Sequence, residues 1–458
     1  MFIIMKSIRR LVLIAFFPMG CLCAQTCEKR IGDLITQEDW IGLDKEYSLK
    51  KDSIKAPGAR LMAKSLLDVY FNRPDEAVNS IDALLSKYEN EIGFRNVVAM
   101  FRYKISQLAV QRRYNTILSE LDGFLKRFAN RLSRDELADF LNMQKNIQPL
   151  CAAEPLKIVK PNHDIEISFG TMTMNFTITG EDKKIEYHDT TMGLVKVKIQ
   201  GKEYVFIIDT GSETSCIFKN TAKDLDLTYL QDSVNLFGVK IAQGKIAMLD
   251  SLSLGDLSIS DLMVTVGDNP VAERESSLVK KEDIEKHLHG ILGLDVIRRL
   301  GEMQIYPHDR RIVIPIEETP LPATGHNLFV NANNNLIIRA YNESYPITFF
   351  FDTGNTDSGM FKPYYLKNKT EIDGRFKRMN GFNFGMGGSK TNTIYLIPSF
   401  NLTIGGTSFS LNNISIHTQD VFAREPPTDG TLGMDFILNF NKVTLNMNKM
   451  FIVLEKLP

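Results

Sequence analysis

The sequence feature that most constrains this chain is an apolar run that ends in Asp-Thr-Gly and occurs twice. The first copy ends at Asp209-Thr210-Gly211 and the second at Asp352-Thr353-Gly354. The two aspartates are 352 − 209 = 143 residues apart. A carboxylate directly after a buried strand costs free energy unless it is paired or hydrogen-bonded. A single copy would indicate an ordinary turn, but two copies call for a common explanation.

A second motif repeats in the same order. Residues Gly290–Ile297 match Gly430–Ile437, and the spacing of 430 − 290 = 140 residues is close to the first offset. Between the motifs, Leu194–Ile208 resembles Leu336–Phe351, and each reads as two strands around a polar hairpin. An order-preserving repeat of this length predicts two copies of one small all-β unit.

These motifs resemble the aspartic peptidase superfamily, which has a strand ending in Asp-Thr-Gly and, later, two apolar residues followed by glycine. The resemblance covers about residues 163–458, and the compact lobes look closer to a fused pair of retropepsin-like units than to a pepsin. It implies a multidomain chain in which an all-α N-terminal region precedes a mainly β, bilobed acid-protease fold. It also implies an aspartic-type endopeptidase in which each lobe supplies one catalytic aspartate.

The chemistry follows from placing Asp209 and Asp352 face to face. Two carboxyls at hydrogen-bond distance share one proton, because both cannot ionise at low cost. Aspartic peptidases are the standard example of such a pair. The ionised member would draw a proton from a water, and the protonated member would polarise the scissile carbonyl. No cofactor and no metal is needed, and the sequence does not say which aspartate holds the proton.

The residues beside the aspartates have expected supporting roles. By resemblance, the hydroxyls of Thr210 and Thr353 reach backbone groups of the opposite loop. Gly211 and Gly354 allow backbone N–H groups to approach the carboxyls.

Three neighbouring positions distinguish the two loops. We expect the Ser212 hydroxyl to bind the outer oxygen of Asp209. Asn355 holds the matching place in lobe two and departs from the serine or threonine of pepsin-like enzymes, which affects the expected pH optimum. Asp357 stands where lobe one has Thr214, and we expect it to be a solvated turn carboxylate.

Glycines mark two further structural expectations. Gly293 and Gly433 lie in the motifs that pack under the catalytic loops in the family, and we expect Asp295 and Asp435 to cap the short helices that follow. Gly385-Met386-Gly387-Gly388 resembles the glycine-rich retropepsin flap, whereas lobe one offers only Leu236-Phe237-Gly238. The alternative for these glycines is an ordinary flexible hairpin.

The first 24 residues resemble a secretory signal. Lys6, Arg9 and Arg10 form a basic region, Leu11–Phe17 is a short apolar core, and Leu22–Ala24 suits a cleavage site. The alternative is lipid attachment at Cys21. We therefore expect export to a bacterial periplasm or cell surface, without a stable membrane span.

Residues 25–150 are predicted to form a helical domain. Apolar residues recur at helical spacing over Ala59–Phe71, and Tyr70 to Leu84 loosely resembles a tetratricopeptide-like hairpin. The alternative is a plain helical bundle that acts as a spacer. Residues 151–164 read as a linker, residues 165–318 as lobe one and residues 319–458 as lobe two. Cys27 and Cys151 bracket the helical domain, so they either form a disulfide or remain unpaired.

Composition and motifs exclude several other functions. The net charge of −1 gives no sign of a nucleic-acid partner. His287-Leu288-His289 lacks the spacing of a metal site. The expected partner is a peptide or protein substrate, with a further protein partner for the helical domain as a hypothesis. Two rival functions stay open: a non-catalytic peptide-binding protein on the same fold, and a zymogen that its N-terminal domain holds inactive.

Overall fold

The computed structural model describes residues 22–180, 185–270 and 286–458. It divides into a helical unit, which ends at Pro155 and includes Phe329–Asn334, and a β unit of Leu156–Leu328 and Asn335–Pro458. A helical region therefore precedes a strand-rich region, which confirms the predicted fold class. The basic and apolar parts of the predicted signal and Cys21 lie outside the described residues.

The helical unit contains eight α-helices in the described residues. They are α1 (Leu22–Thr36), α2 (Trp40–Lys50), α3 (Pro57–Tyr70), α4 (Pro74–Lys87), α5 (Glu89–Ile92), α6 (Phe94–Val110), α7 (Tyr114–Phe128) and α8 (Arg134–Ile147). Local sequence explains several ends. Proline occupies the first turn of α3 and α4, where its missing N–H would have no helical partner. Ser133 and Glu136 form a capping box at the N-terminus of α8.

Aromatic side chains form much of the helical core. Trp40 stacks on Tyr70 with ring centroids 3.6 Å apart. Phe101 stacks on Phe124 at 3.9 Å. The hydroxyls of Tyr70 and Tyr103 are 2.8 Å apart and both side chains are buried. Because each hydroxyl is the other's partner, α3 and α6 are joined by a hydrogen bond inside an apolar core. The likeness of these helices to tetratricopeptide repeats stays a prediction.

Lobe one of the β unit contains strands β1 to β11. They are β1 (Lys157–Val159), β2 (Ile165–Gly180), β3 (Ile185–Ile199), β4 (Lys202–Ile208), β5 (Cys216–Phe218), β6 (Thr228–Phe237), β7 (Ile241–Leu254), β8 (Leu257–Gly267), β9 (Gly290–Leu292), β10 (Glu302–Tyr306) and β11 (Arg311–Ile314), with short helices α9 (Lys219–Ala222) and α10 (Leu294–Ile297).

One sequence-based boundary differs from the structure. The expected linker contains β1, because Lys157 to Val159 pair with Ser260 to Ser258 of β8. Long-range pairing therefore overrides the local proline signals of the linker. Strand β2 in turn pairs with β3 without interruption from Phe169 to Thr179, across Gly170.

Lobe two repeats the arrangement. Its elements are β12 (Leu328–Val330), β13 (Leu336–Asn342), β14 (Tyr345–Phe351), β15 (Gly359–Met360), β16 (Arg378–Gly385), β17 (Gly388–Ile404), β18 (Thr407–His417), β19 (Gly430–Leu432), β20 (Phe440–Asn446) and β21 (Phe451–Lys456), with α11 (Lys362–Lys367), α12 (Lys369–Arg375) and α13 (Met434–Leu438). Strand β4 pairs in parallel with β9, as β14 does with β19. Antiparallel pairing of β10 with β20 joins the two lobes.

The structure decides between a disulfide and unpaired thiols for Cys27 and Cys151. Within the described residues, Cys27, Cys151 and Cys216 form no disulfide, so the bridge between Cys27 and Cys151 is absent. Cys27 is instead buried in the helical core, and the Cys151 Sγ lies 3.7 Å from the carbonyl of Ile147 in the preceding turn.

No helix of the described residues has both the length and the apolar character to cross a membrane.

Tyr103→Phe is expected to lower the free energy of unfolding of the helical unit by about 1–3 kcal/mol, because it leaves the buried Tyr70 hydroxyl without its partner. Replacing both tyrosines by phenylalanine should cost less than the single change. Urea unfolding followed by circular dichroism at 222 nm measures both effects, with the exposed Tyr345→Phe as control. A double variant no more stable than Tyr103→Phe contradicts this account.

Candidate active site

Parallel strand pairs place the two Asp-Thr-Gly loops at equivalent points of the lobes. The Asp209 N–H donates to the Leu292 carbonyl at 3.0 Å, and the Asp352 N–H donates to the Leu432 carbonyl at 3.0 Å. Each loop thus leaves its strand beside the apolar-apolar-glycine motif of the same lobe. The arrangement brings the Asp209 and Asp352 side chains into a mutual hydrogen bond.

Glycine is required in both loops by this close approach. A Cβ atom at Gly211 would lie 2.2 Å from Oδ1 of Asp352, and one at Gly354 would lie 2.3 Å from Cγ of Asp209. Real Cβ atoms do not approach other atoms so closely. Each loop therefore makes room for the aspartate of the opposite lobe.

Backbone N–H groups serve one oxygen of each carboxyl. Asp209 Oδ1 accepts from the N–H groups of Gly211 at 2.8 Å and Ser212 at 3.0 Å. Asp352 Oδ1 accepts from Gly354 at 3.1 Å and Asn355 at 3.2 Å. Asn355 thus fulfils the same backbone role as Ser212 despite its different side chain.

The expected role of the Ser212 hydroxyl differs from the structure. The hydroxyl donates to the Thr214 carbonyl at 2.9 Å rather than to Asp209. The local turn offers a nearer acceptor, and the Ser212 N–H already occupies Asp209 Oδ1. Side-chain chemistry at this position therefore shapes the turn, whereas the backbone contacts the carboxyl.

The two threonines connect the loops symmetrically. The Thr210 hydroxyl donates to the Phe351 carbonyl at 2.7 Å and accepts from the Thr353 N–H at 3.1 Å. The Thr353 hydroxyl donates to the Ile208 carbonyl at 2.7 Å and accepts from the Thr210 N–H at 3.0 Å. Both side chains are at most 1% exposed, so these four bonds lie in a water-free setting where leaving one unmade is costly.

The environment raises the proton affinity of both aspartates. Burial and the neighbouring Asp209 carboxyl raise the pKa of Asp352 well above its ordinary value. Burial also raises the pKa of Asp209, but hydrogen bonds from Asp352 and from the N–H groups of Gly211, Ser212 and Gly354 act in the opposite direction. The two carboxyls therefore titrate as one coupled pair, which keeps a shared proton above the ordinary aspartate range.

Two serines that the sequence analysis missed lock the glycine motifs. The Ser215 hydroxyl donates to Asp295 Oδ1 at 2.8 Å and accepts from the Gly293 N–H at 3.0 Å. In lobe two, the Ser358 hydroxyl donates to Asp435 Oδ1 at 2.7 Å and accepts from the Gly433 N–H at 3.0 Å. The serines repeat at the 143-residue offset of the aspartates (358 − 215 = 143), a signal that could have found them.

The expected helix caps at Asp295 and Asp435 are wrong. The helices begin at Leu294 and Met434, and Gly293 and Gly433 stand at their N-caps. Asp295 and Asp435 lie inside the first turn, where their carboxylates accept hydrogen bonds from Ser215 and Ser358 of the Asp-Thr-Gly loops. They therefore fasten each loop to its glycine motif.

Hairpins from both lobes meet at their tips. Gly385, Met386, Gly387 and Gly388 form the tip between β16 and β17, where Gly387 and Gly388 have positive φ of 84° and 110°. The tip between β6 and β7 follows Phe237. Lobe one therefore also has a hairpin at Leu236-Phe237-Gly238, although its sequence resembles a flap less than Gly385–Gly388 does. The Lys240 N–H donates to the Met386 carbonyl at 3.2 Å. The tips are thus hydrogen-bonded to each other.

Met386 crosses to lobe one. It packs against an apolar cluster of buried side chains, which consists of Met192, Ile207, Cys216, Phe218, Leu288 and Ile291. Cys216 therefore belongs to this apolar wall.

Of the two histidines in His287-Leu288-His289, His289 has a structural role. His289 Nδ1 accepts the Val205 N–H at 3.1 Å, and His287 is exposed. The described ranges contain no group of three or more His, Cys, Asp or Glu side chains arranged to hold a metal ion.

Comparison with known proteins supports the resemblance for lobe one. Residues 195–296 match a family model described as aspartyl protease, a stretch that includes Asp209 and Gly293 but not Asp352. The match supports the aspartic peptidase superfamily for this region. No curated protein sequence matches the chain significantly.

The solved structures that match the chain share little sequence with it. Basic 7S globulin from soybean has 7% identity and a TM-score of 0.34 over 63% of this chain and 94% of its own. Conglutin gamma, a basic 7S globulin from lupine seeds, has 8% identity and a TM-score of 0.36 over 64% of this chain and 94% of its own. A retropepsin-like aspartic protease from Rickettsia conorii has 14% identity and a TM-score of 0.18 over 32% of this chain and 91% of its own. Values this low transfer no function to the chain.

Thr210→Val and Thr353→Val are each expected to lower the free energy of unfolding of the β unit by about 1–3 kcal/mol, because a buried carbonyl and a buried N–H lose their partner. The matched Thr→Ser variants keep the hydroxyl and should retain most of that stability. Urea unfolding followed by tyrosine fluorescence measures the difference. Equal losses for valine and serine contradict a hydrogen-bonding role.

Asp352→Asn is expected to stabilise the β unit near pH 7. Because the pKa of Asp352 is raised in the folded state, its favourable contribution is complete below the unfolded pKa of about 3.9 and is lost as pH rises through the folded pKa. Asparagine has no such loss. The gain should be on the order of 1 kcal/mol, or about 2–4 °C in Tm, and should vanish below about pH 4.

Thermal unfolding between pH 3 and pH 8 measures this gain. Asp256→Asn, at a side chain 75% exposed, is the matched control and should show none. An Asp352→Asn variant with an unchanged Tm at pH 7 contradicts the raised pKa.

Proposed function

We propose that this protein is an aspartic-type endopeptidase that hydrolyses peptide bonds with a water activated between Asp209 and Asp352. The observation that carries the proposal is the mutual hydrogen bond of these buried carboxyls, each with one oxygen held by two N–H groups. Fixed donors keep the pair in one geometry without reorganisation during the reaction. The aspartyl protease match over residues 195–296 agrees with it.

The reaction balances within the dyad. A water oxygen attacks the scissile carbonyl carbon while Asp209 takes one of its protons, and Asp352 gives its proton to the carbonyl oxygen. A tetrahedral diol results. Its C–N bond then breaks as the departing nitrogen accepts the proton from Asp209, and Asp352 regains a proton from a diol hydroxyl. The dyad returns to its single shared proton, and no covalent bond to the protein forms.

The hairpin tips supply a cover for this reaction. The tips of β6–β7 and β16–β17 would separate to admit an extended peptide and close over it to exclude water. Strand-like hydrogen bonds would hold the peptide backbone, as in other cases of strand addition. Gly385, Met386, Gly387 and Gly388 are the flap residues of lobe two in this proposal.

We also propose the cellular setting that the first 24 residues suggest. Their basic and apolar segments favour export to a periplasm or cell surface, with lipid attachment at Cys21 as the alternative. The helical unit would contact a protein partner or act as a spacer. Mass spectrometry of the N-terminus in the native host distinguishes cleavage before Gln25 from a lipidated Cys21.

Asp209→Asn and Asp352→Asn are each expected to lower kcat/KM at least about 100-fold, because either change removes the shared proton's acceptor or donor. The measurement is cleavage of a peptide library by the purified protein from pH 3 to pH 8, read by mass spectrometry. Asp256→Asn serves as the control and should cut like the unmodified protein. The pH profile should be bell-shaped, and its alkaline limb should lie well above the ordinary aspartate range because of the raised pKa of Asp352.

Activity that survives either substitution rejects the dyad mechanism. If the unmodified protein cuts nothing at any pH but binds peptides, the function is that of a peptide-binding protein on the same fold. Recovery of activity after removal of residues 28–150 would instead indicate a zymogen.

A further inference from the structure

Lobe two contains a cavity beside its catalytic loop. It has a volume of about 280 Å³, whereas one water occupies about 30 Å³ in the liquid, so it has room for a side chain. Asn355, whose N–H binds the Asp352 carboxyl, lines it. Val239, at the hairpin tip of lobe one, lines it too. The cavity therefore adjoins both the dyad and the hairpin tips.

Buried polar groups line this cavity without partners in the protein. His417 is 9% exposed, and its Nδ1 has no hydrogen-bond partner. Thr431 is 3% exposed, and its Oγ1 has none. Such groups cost free energy unless a ligand or water satisfies them. A hydroxyl and a neutral imidazole nitrogen can both accept hydrogen bonds.

The charged lining of the cavity is entirely acidic. Asp357 and Asp435 contribute carboxyls, and none of the lining residues, all within the described ranges, is lysine or arginine. Thr356 donates to one Asp357 oxygen, Oδ2, at 2.9 Å, and Asp435 Oδ1 accepts from Ser358. Lys390 lies outside the lining, and its charge helps to lower the pKa of His417. Its ammonium group donates to the backbone carbonyl of Asp420. The cavity thus has acceptors and negative charge but no cation of its own.

Asp357 is an exposed turn residue, as its sequence position predicts, and it also lines the cavity. The protein atoms beside the carboxyl, together with Asp435, raise the pKa of Asp357 to about 7. A positive group that entered the cavity would favour the ionised form and bind to it. Burial lowers the pKa of His417 to about 4, so His417 is neutral and would not repel that group.

The equivalent place in lobe one is apolar. Strand pairing matches Thr431 with Ile291 and Gly359 with Cys216, and the 143-residue offset matches Asp357 with Thr214. In lobe one, Ile291 and Cys216 belong to the apolar wall that Met386 contacts. The repeat therefore keeps the backbone and changes the chemistry of one side-chain pocket.

We propose that the lobe-two cavity is a specificity pocket for a basic substrate side chain, arginine above all, with Asp357 as its anionic partner. The proposal rests on the proposed endopeptidase function and adds a substrate class to it. Arginine fits because its guanidinium offers five N–H donors and no acceptor. The Asp357 carboxylate, the Thr431 hydroxyl and the His417 nitrogen are acceptors that these donors satisfy together.

The test uses octapeptides that carry arginine, citrulline, leucine or glutamate at each position in turn. Citrulline has the shape of arginine without its charge. We expect kcat/KM for the arginine peptide to exceed that for its citrulline twin at least tenfold at one position near the scissile bond. Asp357→Thr, which copies lobe one, should bring that ratio close to one. Asp357→Glu should keep the preference, and the Asp256→Asn control should leave the ratio unchanged.

Three outcomes separate the pocket from the reaction. Cleavage without an arginine preference, or with a preference that Asp357→Thr leaves intact, overturns the pocket while the endopeptidase stands. If nothing is cut, fluorescence anisotropy measures binding of the same labelled peptides. An arginine preference in binding that Asp357→Thr abolishes supports the pocket although the endopeptidase fails. Equal binding of arginine and citrulline peptides overturns the pocket as well.

Discussion

The β unit depends on holding two buried carboxyls against each other. Desolvation and mutual repulsion both oppose this arrangement. Four backbone N–H groups and one shared proton offset the cost, and the crossed hydrogen bonds of Thr210 and Thr353 fix the separation of the loops. The glycines at 211 and 354 make the approach sterically feasible. Much of the remaining architecture, including the parallel strand pairs and the serine locks, serves to bring these two loops to the same point.

Duplication of the lobe allows the two halves to differ while the dyad stays symmetric. The residues that hold the aspartates are matched pair by pair, from the threonines to Ser215 and Ser358. The lobes differ one layer further from the aspartates, where Ile291 and Cys216 of lobe one correspond to Thr431 and Gly359 of lobe two. In a site assembled from two identical chains, every change in a side-chain pocket would appear on both sides, so the two halves could not differ in this way.

The repeated motifs made the dyad, the threonine roles and the fold class predictable. The sequence predicted these because close approach demands glycine and because a buried aspartate after a strand demands a partner. It did not predict the Ser212 hydroxyl contact or the position of Asp295, since both depend on which acceptor the folded turn places nearest. The β1 strand within the expected linker also escaped, because its pairing with β8 is between residues about 100 positions apart in sequence.

The hydrogen bond between the hairpin tips couples the movements of the β6–β7 and β16–β17 hairpins. The Lys240 N–H and the Met386 carbonyl are each other's partner, and Met386 also rests on lobe one. Neither hairpin can lift alone without breaking the contact that holds the other. In the proposed peptidase, entry to the cleft would therefore be one concerted event whose barrier is set at the tips, away from the Asp209 and Asp352 carboxyls. In that function, the rate at which a polypeptide gains access and the rate at which it is cut would depend on separate sets of residues.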